Sequence, residues 1–169
     1  LATLLYIYFL YLAGSRMKYT VKQQLVIATE TGSGVLTEIC ALLNKGRINI
    51  QDIYATEEKS KGMLHLIVDN TDAAEKVMRE EGFIPLVIKV LLIDIKDSPG
   101  TLGGICSLFG HHGINIEYVY GSENLHHHLM TLIRRMVIVM KVSDIDKAVK
   151  ILEKKGTAIS ALFSKDKKK

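Results

Sequence analysis

The chain has 169 residues, 48% hydrophobic and 24% charged, which suits a globular protein with an ample core. Its net charge is only +4, it has no Trp, and no basic stripe is interleaved with aromatics, so no nucleic-acid partner is expected. Lys165, Lys167, Lys168 and Lys169, against Asp166, supply much of that charge in a basic tail over 164–169 that reads as a solvated end.

Leu1 to Ala13 is nearly all apolar, and Gly14-Ser15-Arg16 follows. A bilayer needs about twenty residues, so no membrane span is expected. The run matches a signal h-region in length, but no basic stretch precedes it. Residues 1–16 are expected to lie outside the folded unit, with Met17 just before its start; a mis-assigned start accounts for them most simply.

Lys22–Thr29 carries Leu25, Val26 and Ile27 and reads as a strand, and Glu30–Gly34 as a turn. Leu36, Ile39, Cys40 and Leu43 follow helical spacing, and Lys45-Gly46 ends that helix. Ile48–Ala55 and Met63–Asp69 read as strands two and three. Thr71 or Asp72 is the expected cap of a second helix with Ala74, Val77 and Met78 inward, stopped by Gly82. A fourth strand begins at Phe83, which gives the order βαββαβ.

The second half repeats this order. Lys89–Ile95 is a strand, Lys96–Gly100 a turn, and Leu102, Ile105, Cys106 and Phe109 mark a helix. Ile114–Ser122 and Met136–Val142 are the next strands. Ser143 with Asp146 suggests a capping box for a helix holding Ala148, Ile151 and Leu152, which Gly156 ends. Ala158–Phe163 is expected to close the sheet.

The repetition is visible residue by residue. At a shift of 66, Gly34, Leu36, Ile39 and Cys40 meet Gly100, Leu102, Ile105 and Cys106, and Ile48-Asn49-Ile50 meets Ile114-Asn115-Ile116. Beyond the second strand the shift becomes 74, so the second copy has eight extra residues around Glu123–Arg135. A register this long implies two copies of one structural unit. The expected fold is α+β: two ferredoxin-like βαββαβ repeats with antiparallel sheets and helices on one face. The first strand of the second copy follows the last of the first with no real linker.

The turns narrow the family. Lys96-Asp97-Ser98-Pro99-Gly100-Thr101-Leu102, then Gly113-Ile114-Asn115-Ile116, resembles the ACT domain signature. Glu30-Thr31-Gly32-Ser33-Gly34-Val35-Leu36, then Arg47-Ile48-Asn49-Ile50, is a weaker copy with neither the acidic residue nor the proline. The resemblance covers about residues 20–163. It implies ACT domains at 17–87 and 88–163 in a regulatory protein that senses a free amino acid at a seam between ACT units. It also implies site residues. In the second copy these are Asp97, Ser98, Pro99, Gly100, Thr101 and Leu102 with Asn115. In the first they are Thr31, Gly32, Ser33, Gly34, Val35 and Leu36 with Asn49.

The chemistry fits. A helix N-terminus presents unpaired N–H groups and the positive end of a dipole to a carboxylate. Gly34 and Gly100 lack Cβ and permit close approach. Asp97 is placed to accept hydrogen bonds from an ammonium, whereas Thr31 is neutral and shorter. Two plainer roles stand beside these: Asp97 as a helix cap, and Asn49 and Asn115 as turn residues before a strand.

No nucleophile–base pair, Walker loop or dinucleotide fingerprint emerges, so neither catalysis nor a cofactor is expected. His111-His112 and His126-His127-His128 belong at opposite ends of the sheet, so no combined metal site is expected. Cys40 and Cys106 read as small buried hydrophobes rather than a secreted disulfide framework, which fits a cytoplasmic protein. Two small units with exposed strand edges suggest a homodimer. A biosynthetic enzyme as regulated partner, or a small ferredoxin-like enzyme, are the alternative functions.

Overall fold

The computed structural model describes residues 18–30, 34–58, 61–122 and 135–162. Residues 1–16, the 164–169 tail, Thr31-Gly32-Ser33 and His126-His127-His128 lie outside the described residues. The described residues form two compact units, one of Lys22–Val90 and one of those from Leu91 onward together with 18–21.

In the first unit, β1 (Lys18–Glu30), β2 (Ile50–Glu58) and β3 (Lys61–Val68) pair antiparallel, with β3 between the other two. Leu25 faces Leu66, Ile27 faces Leu64, and Thr29 faces Gly62. Alternation puts Leu25, Ile27, Leu64, Leu66 and Val68 on one face. Helices α1 (Val35–Lys45) and α2 (Thr71–Glu80) cover that face through Ile39, Leu43, Ala74 and Met78. On the other face Gln24 is fully buried, and its Oε1 accepts from His65 Nδ1 at 3.2 Å. The Tyr54 ring leans on His65 at a centroid distance of 5.4 Å. Burial holds the His65 imidazole below its ordinary pKa.

The second unit repeats the plan. β4 (Leu86–Lys96) and β5 (Ile116–Ser122) flank β6 (Arg135–Val142), again antiparallel. Helices α3 (Thr101–His111) and α4 (Ile145–Leu162) pack through Ile105, Phe109, Ala148, Ile151 and Leu152 on Leu91, Ile93, Ile138 and Met140. Tyr19 joins this core, and its hydroxyl donates to Glu153 Oε1 at 3.2 Å. The repeats agree in detail. The register slips between Ile50 and Asp52 in one unit and between Ile116 and Tyr118 in the other. The fold class read from the sequence is therefore the observed one, α+β with antiparallel strands and helices on one face of each unit.

Several sequence expectations need correction. Asn70, not Thr71 or Asp72, caps α2: its side chain accepts from the Ala73 N–H at 3.1 Å. Asp144, not a Ser143–Asp146 box, caps α4, accepting from the Lys147 N–H at 2.9 Å. Ser143 is used elsewhere, as the acceptor for the Asn115 N–H. Gly156 does not end α4, which runs to Leu162, so residues 158–162 are helical rather than a closing strand. A glycine inside a helix costs only about 1 kcal/mol relative to alanine, and Ala158 and Ala161 favour the helix. β4 begins at Leu86 rather than Phe83 and runs as one strand across the junction expected between the copies. Phe83 instead packs on the first core, its N–H bonded to Met78 O. Cys40 and Cys106 are free thiols and only half-buried.

Candidate functional site

Each first helix of a unit starts at a glycine in a backbone conformation that side chains rarely adopt. Gly34 has φ +123° and Gly100 has φ +87°. Neither helix has a side-chain cap at that position. A Cβ on Gly34 would meet nothing within 4 Å, so the requirement there is conformational rather than steric.

In the second unit the turn is tightly made. Ser98 N–H donates to Lys96 O at 3.0 Å and Thr101 N–H to Ser98 O at 3.2 Å. The Ser98 and Thr101 hydroxyls pair with each other at 2.9 Å, and Thr101 is buried. Leu102 packs against the core, while Asp97 and Pro99 are exposed. Gly100 occupies the cap position of α3, three residues after Asp97.

Asn115 lies at the other end of α3, whose 11 residues span about 16 Å at ~1.5 Å per residue. Its backbone exchanges two hydrogen bonds with Ser143: Asn115 N–H to Ser143 Oγ at 3.0 Å, and Ser143 N–H to Asn115 O at 2.9 Å. Asn49 does the same with Asp69, at 3.0 and 3.1 Å. Both asparagines are exposed. Within a unit, then, the turn and the asparagine stand apart, and the backbone of each asparagine is tied to the loop before the second helix.

In the first unit Val35 and Leu36 open α1 beside a cavity of about 330 Å³. Val35, Leu36 and Ile39 form its helical wall. Thr29 and Glu30 of β1, Ala55–Glu57 of β2, and Gly62–Leu64 of β3 line the rest. Thr29, Ala55, Glu57, Met63 and Gly62 were not among the residues singled out from the sequence. The cavity depends on cross-strand register, although the substitution of small for large residues between the copies could have signalled it.

The histidines at the end of α3 serve the helix: His111 Nδ1 is 2.6 Å from Ser107 O, and His112 Nδ1 is 2.9 Å from Leu108 O. Among the described residues no group of three or more His, Cys, Asp and Glu could hold a metal ion. No helix among them is long and apolar enough to cross a membrane.

The sequence pattern of a family described as "ACT domain pair" matches residues 19–161. No protein with a curated description matches. Of solved structures, protein BT0572 from Bacteroides thetaiotaomicron is similar at 29% identity, covering 83% of this chain and 91% of its own, with a TM-score of 0.71. The regulatory subunit of aspartate kinase from Thermus thermophilus, in its ligand-free form, shares the fold at 12% identity. It covers 83% of this chain and 98% of its own, with a TM-score of 0.55. E. coli aspartokinase III, in complex with lysine and aspartate, shares it at 14% identity, covering 85% of this chain and 32% of its own, with a TM-score of 0.52.

Proposed function

Because the chain belongs to the ACT domain pair family, we propose that it is a regulatory protein that senses a free α-amino acid and has no catalytic role of its own. The observation that carries this reading is the matched left-handed glycine, Gly34 and Gly100, at the start of the first helix in both units. A glycine turn feeding an uncapped helix offers backbone N–H groups to a carboxylate. In the second unit the exposed Asp97 stands beside that turn, where it would take the ammonium. Asn115 or Asn49, presented by another ACT unit, would complete the site across a seam. An aspartokinase with the same fold holds lysine and aspartate, which supports an amino acid as the class of ligand.

A thermal-shift screen of the twenty amino acids tests the reading: at least one should raise the melting temperature in a dose-dependent way, without turnover. A charge-assisted hydrogen bond contributes roughly 1.5–3 kcal/mol, so Asp97→Ala should weaken binding by about ten- to a hundredfold. Thr31→Ala should do much less. Circular dichroism must show both variants native. Equal losses in the two would remove the asymmetry, and no stabilisation by any amino acid would sink the reading.

A second reading adds a protein partner. The aspartate kinase regulatory subunit is a separate chain of nearly the same extent, 98% of it covered here. That supports direct binding to an amino-acid biosynthetic enzyme, which a pull-down with and without the ligand from the screen would test.

A further inference from the structure

We propose that the cavity of the first unit is a side-chain pocket for an aliphatic or thioether α-amino acid, at a place where the second unit packs two side chains of its own. The inference rests on the amino-acid reading above and assigns the side-chain class that reading leaves open.

The two copies pair their strands in the same register, so each cavity position on a strand has a counterpart. Thr29 faces Gly62 across the β1–β3 ladder. Ile95 faces Met136 across the β4–β6 ladder, at the same place. In the second unit this pair is packed: Ile95 is 3% exposed and Met136 lies against the core. Met136 also reaches over Gly121, whose position a Cβ would bring to 3.1 Å from the Met136 sulfur. In the first unit the matching residues are Thr, Gly and Ala, and the space stands open as the cavity of about 330 Å³. What two hydrocarbon side chains fill in one copy, a ligand's side chain would fill in the other. Gly62 has a steric reason to remain glycine, since a Cβ there would run into the Thr29 hydroxyl.

The walls indicate the side chain's chemistry. Ile39 and Leu64 are buried in the core of the unit and form the deep apolar side. Leu36 is 47% exposed, an apolar rim that a hydrocarbon would cover. Glu30 and Glu57 are the charged residues among the described lining, and both are acidic. They disfavour a ligand with a side-chain carboxylate. The α1 N-terminus, uncapped at Gly34, borders the same cavity and would receive the α-carboxylate.

Calorimetric titration of the full chain with L-isoleucine, L-leucine, L-methionine and L-valine, against L-lysine and L-aspartate, tests the assignment. One of the first four should bind most tightly. Thr29→Ile fills the pocket from β1, and Thr29→Ile with Gly62→Met reproduces the second unit's pair. Thr29→Ile alone should keep or raise the melting temperature, because it adds hydrocarbon to an open apolar space; the double variant adds a Cβ at Gly62 close to position 29, so circular dichroism must first show it native. Both should weaken that ligand by at least about tenfold, the scale on which hydrocarbon pockets discriminate. Ala55→Leu, at an exposed rim position, gives an independent block should the double variant not fold. Met136→Leu in the second unit should leave affinity within about twofold, since it is a volume-conserving change at a packed position away from the cavity. Unchanged affinity in folded Thr29→Ile and Ala55→Leu would overturn the pocket while leaving amino-acid sensing intact. Tighter binding of lysine or aspartate than of all four hydrocarbon probes would overturn the side-chain class. No binding by any of the twenty amino acids would overturn both readings.

Discussion

Gly34 sits in open space, yet its φ of +123° makes it hard to replace. Alanine there meets no neighbour but must enter a backbone region disfavoured by about 1–2 kcal/mol. Gly34→Ala should lower stability by that order in chemical denaturation, and an unchanged midpoint would show that the turn relaxes freely. His65 makes a different prediction. Its imidazole is buried against Gln24 and Tyr54, and burial lowers its pKa below the ordinary value of 6.5. The unfolded chain therefore takes up a proton that the folded chain resists. The folded state is at its full stability above the unfolded pKa and loses stability as pH falls below it, until the folded pKa is reached. Thermal melts at pH 7 and pH 5 should show a smaller drop for His65→Gln than for the parent chain; equal drops would place the titration elsewhere.

The elements are set by their ends as much as by their periodicity. Arg47 has φ +56°, a left-handed position after α1, and its counterpart Gly113 after α3 has φ +67°. Both follow the same helix-ending pattern, with Ile48 N–H bonded to Leu43 O and Ile114 N–H to Phe109 O. Arg47→Gly relieves the side-chain penalty and should stabilise by up to about 1 kcal/mol, part of the gain being offset by the freer unfolded chain. Gly113→Arg should destabilise by a similar amount. The helix caps follow the same logic: Asn70→Ala and Asp144→Ala should each lower stability by about 1 kcal/mol, measurable as separate and additive shifts. The helices were legible because Ile39 with Leu43, Ile105 with Phe109, and Ala148 with Leu152 repeat every four residues. Their caps were less so, because Asn70, Thr71 and Asp72 are adjacent residues of similar capping ability. Gly156 was misread because a glycine can either end a helix or sit inside one, and only the surrounding structure chooses.

For the molecule as a whole, β2 in the first unit and β5 in the second each pair with a single neighbouring strand, β3 and β6. Ile53 and Val119 occupy equivalent places on those strands and are 44% and 40% exposed. We propose that these edges support self-association, because exposed strand edges bearing apolar side chains seek a partner. Light scattering should report a dimer at micromolar concentration, and Ile53→Lys with Val119→Lys should shift it toward monomer. A monomeric parent chain would remove the proposal. The sequence by itself determined the duplication, the α+β class and the family, because those rest on periodicity and on glycines and asparagines at fixed spacing along one chain. It also marked the Asp97 turn as chemically distinct, since an acidic side chain next to Pro-Gly is visible locally. Only the tertiary structure revealed that Thr29 and Gly62 face each other beside a cavity, and that Ile95 and Met136 at the matching place pack against the core. Those residues are far apart in the chain and meet through ladder register, which is decided when the strands pair and the core packs, not by any local run of residues.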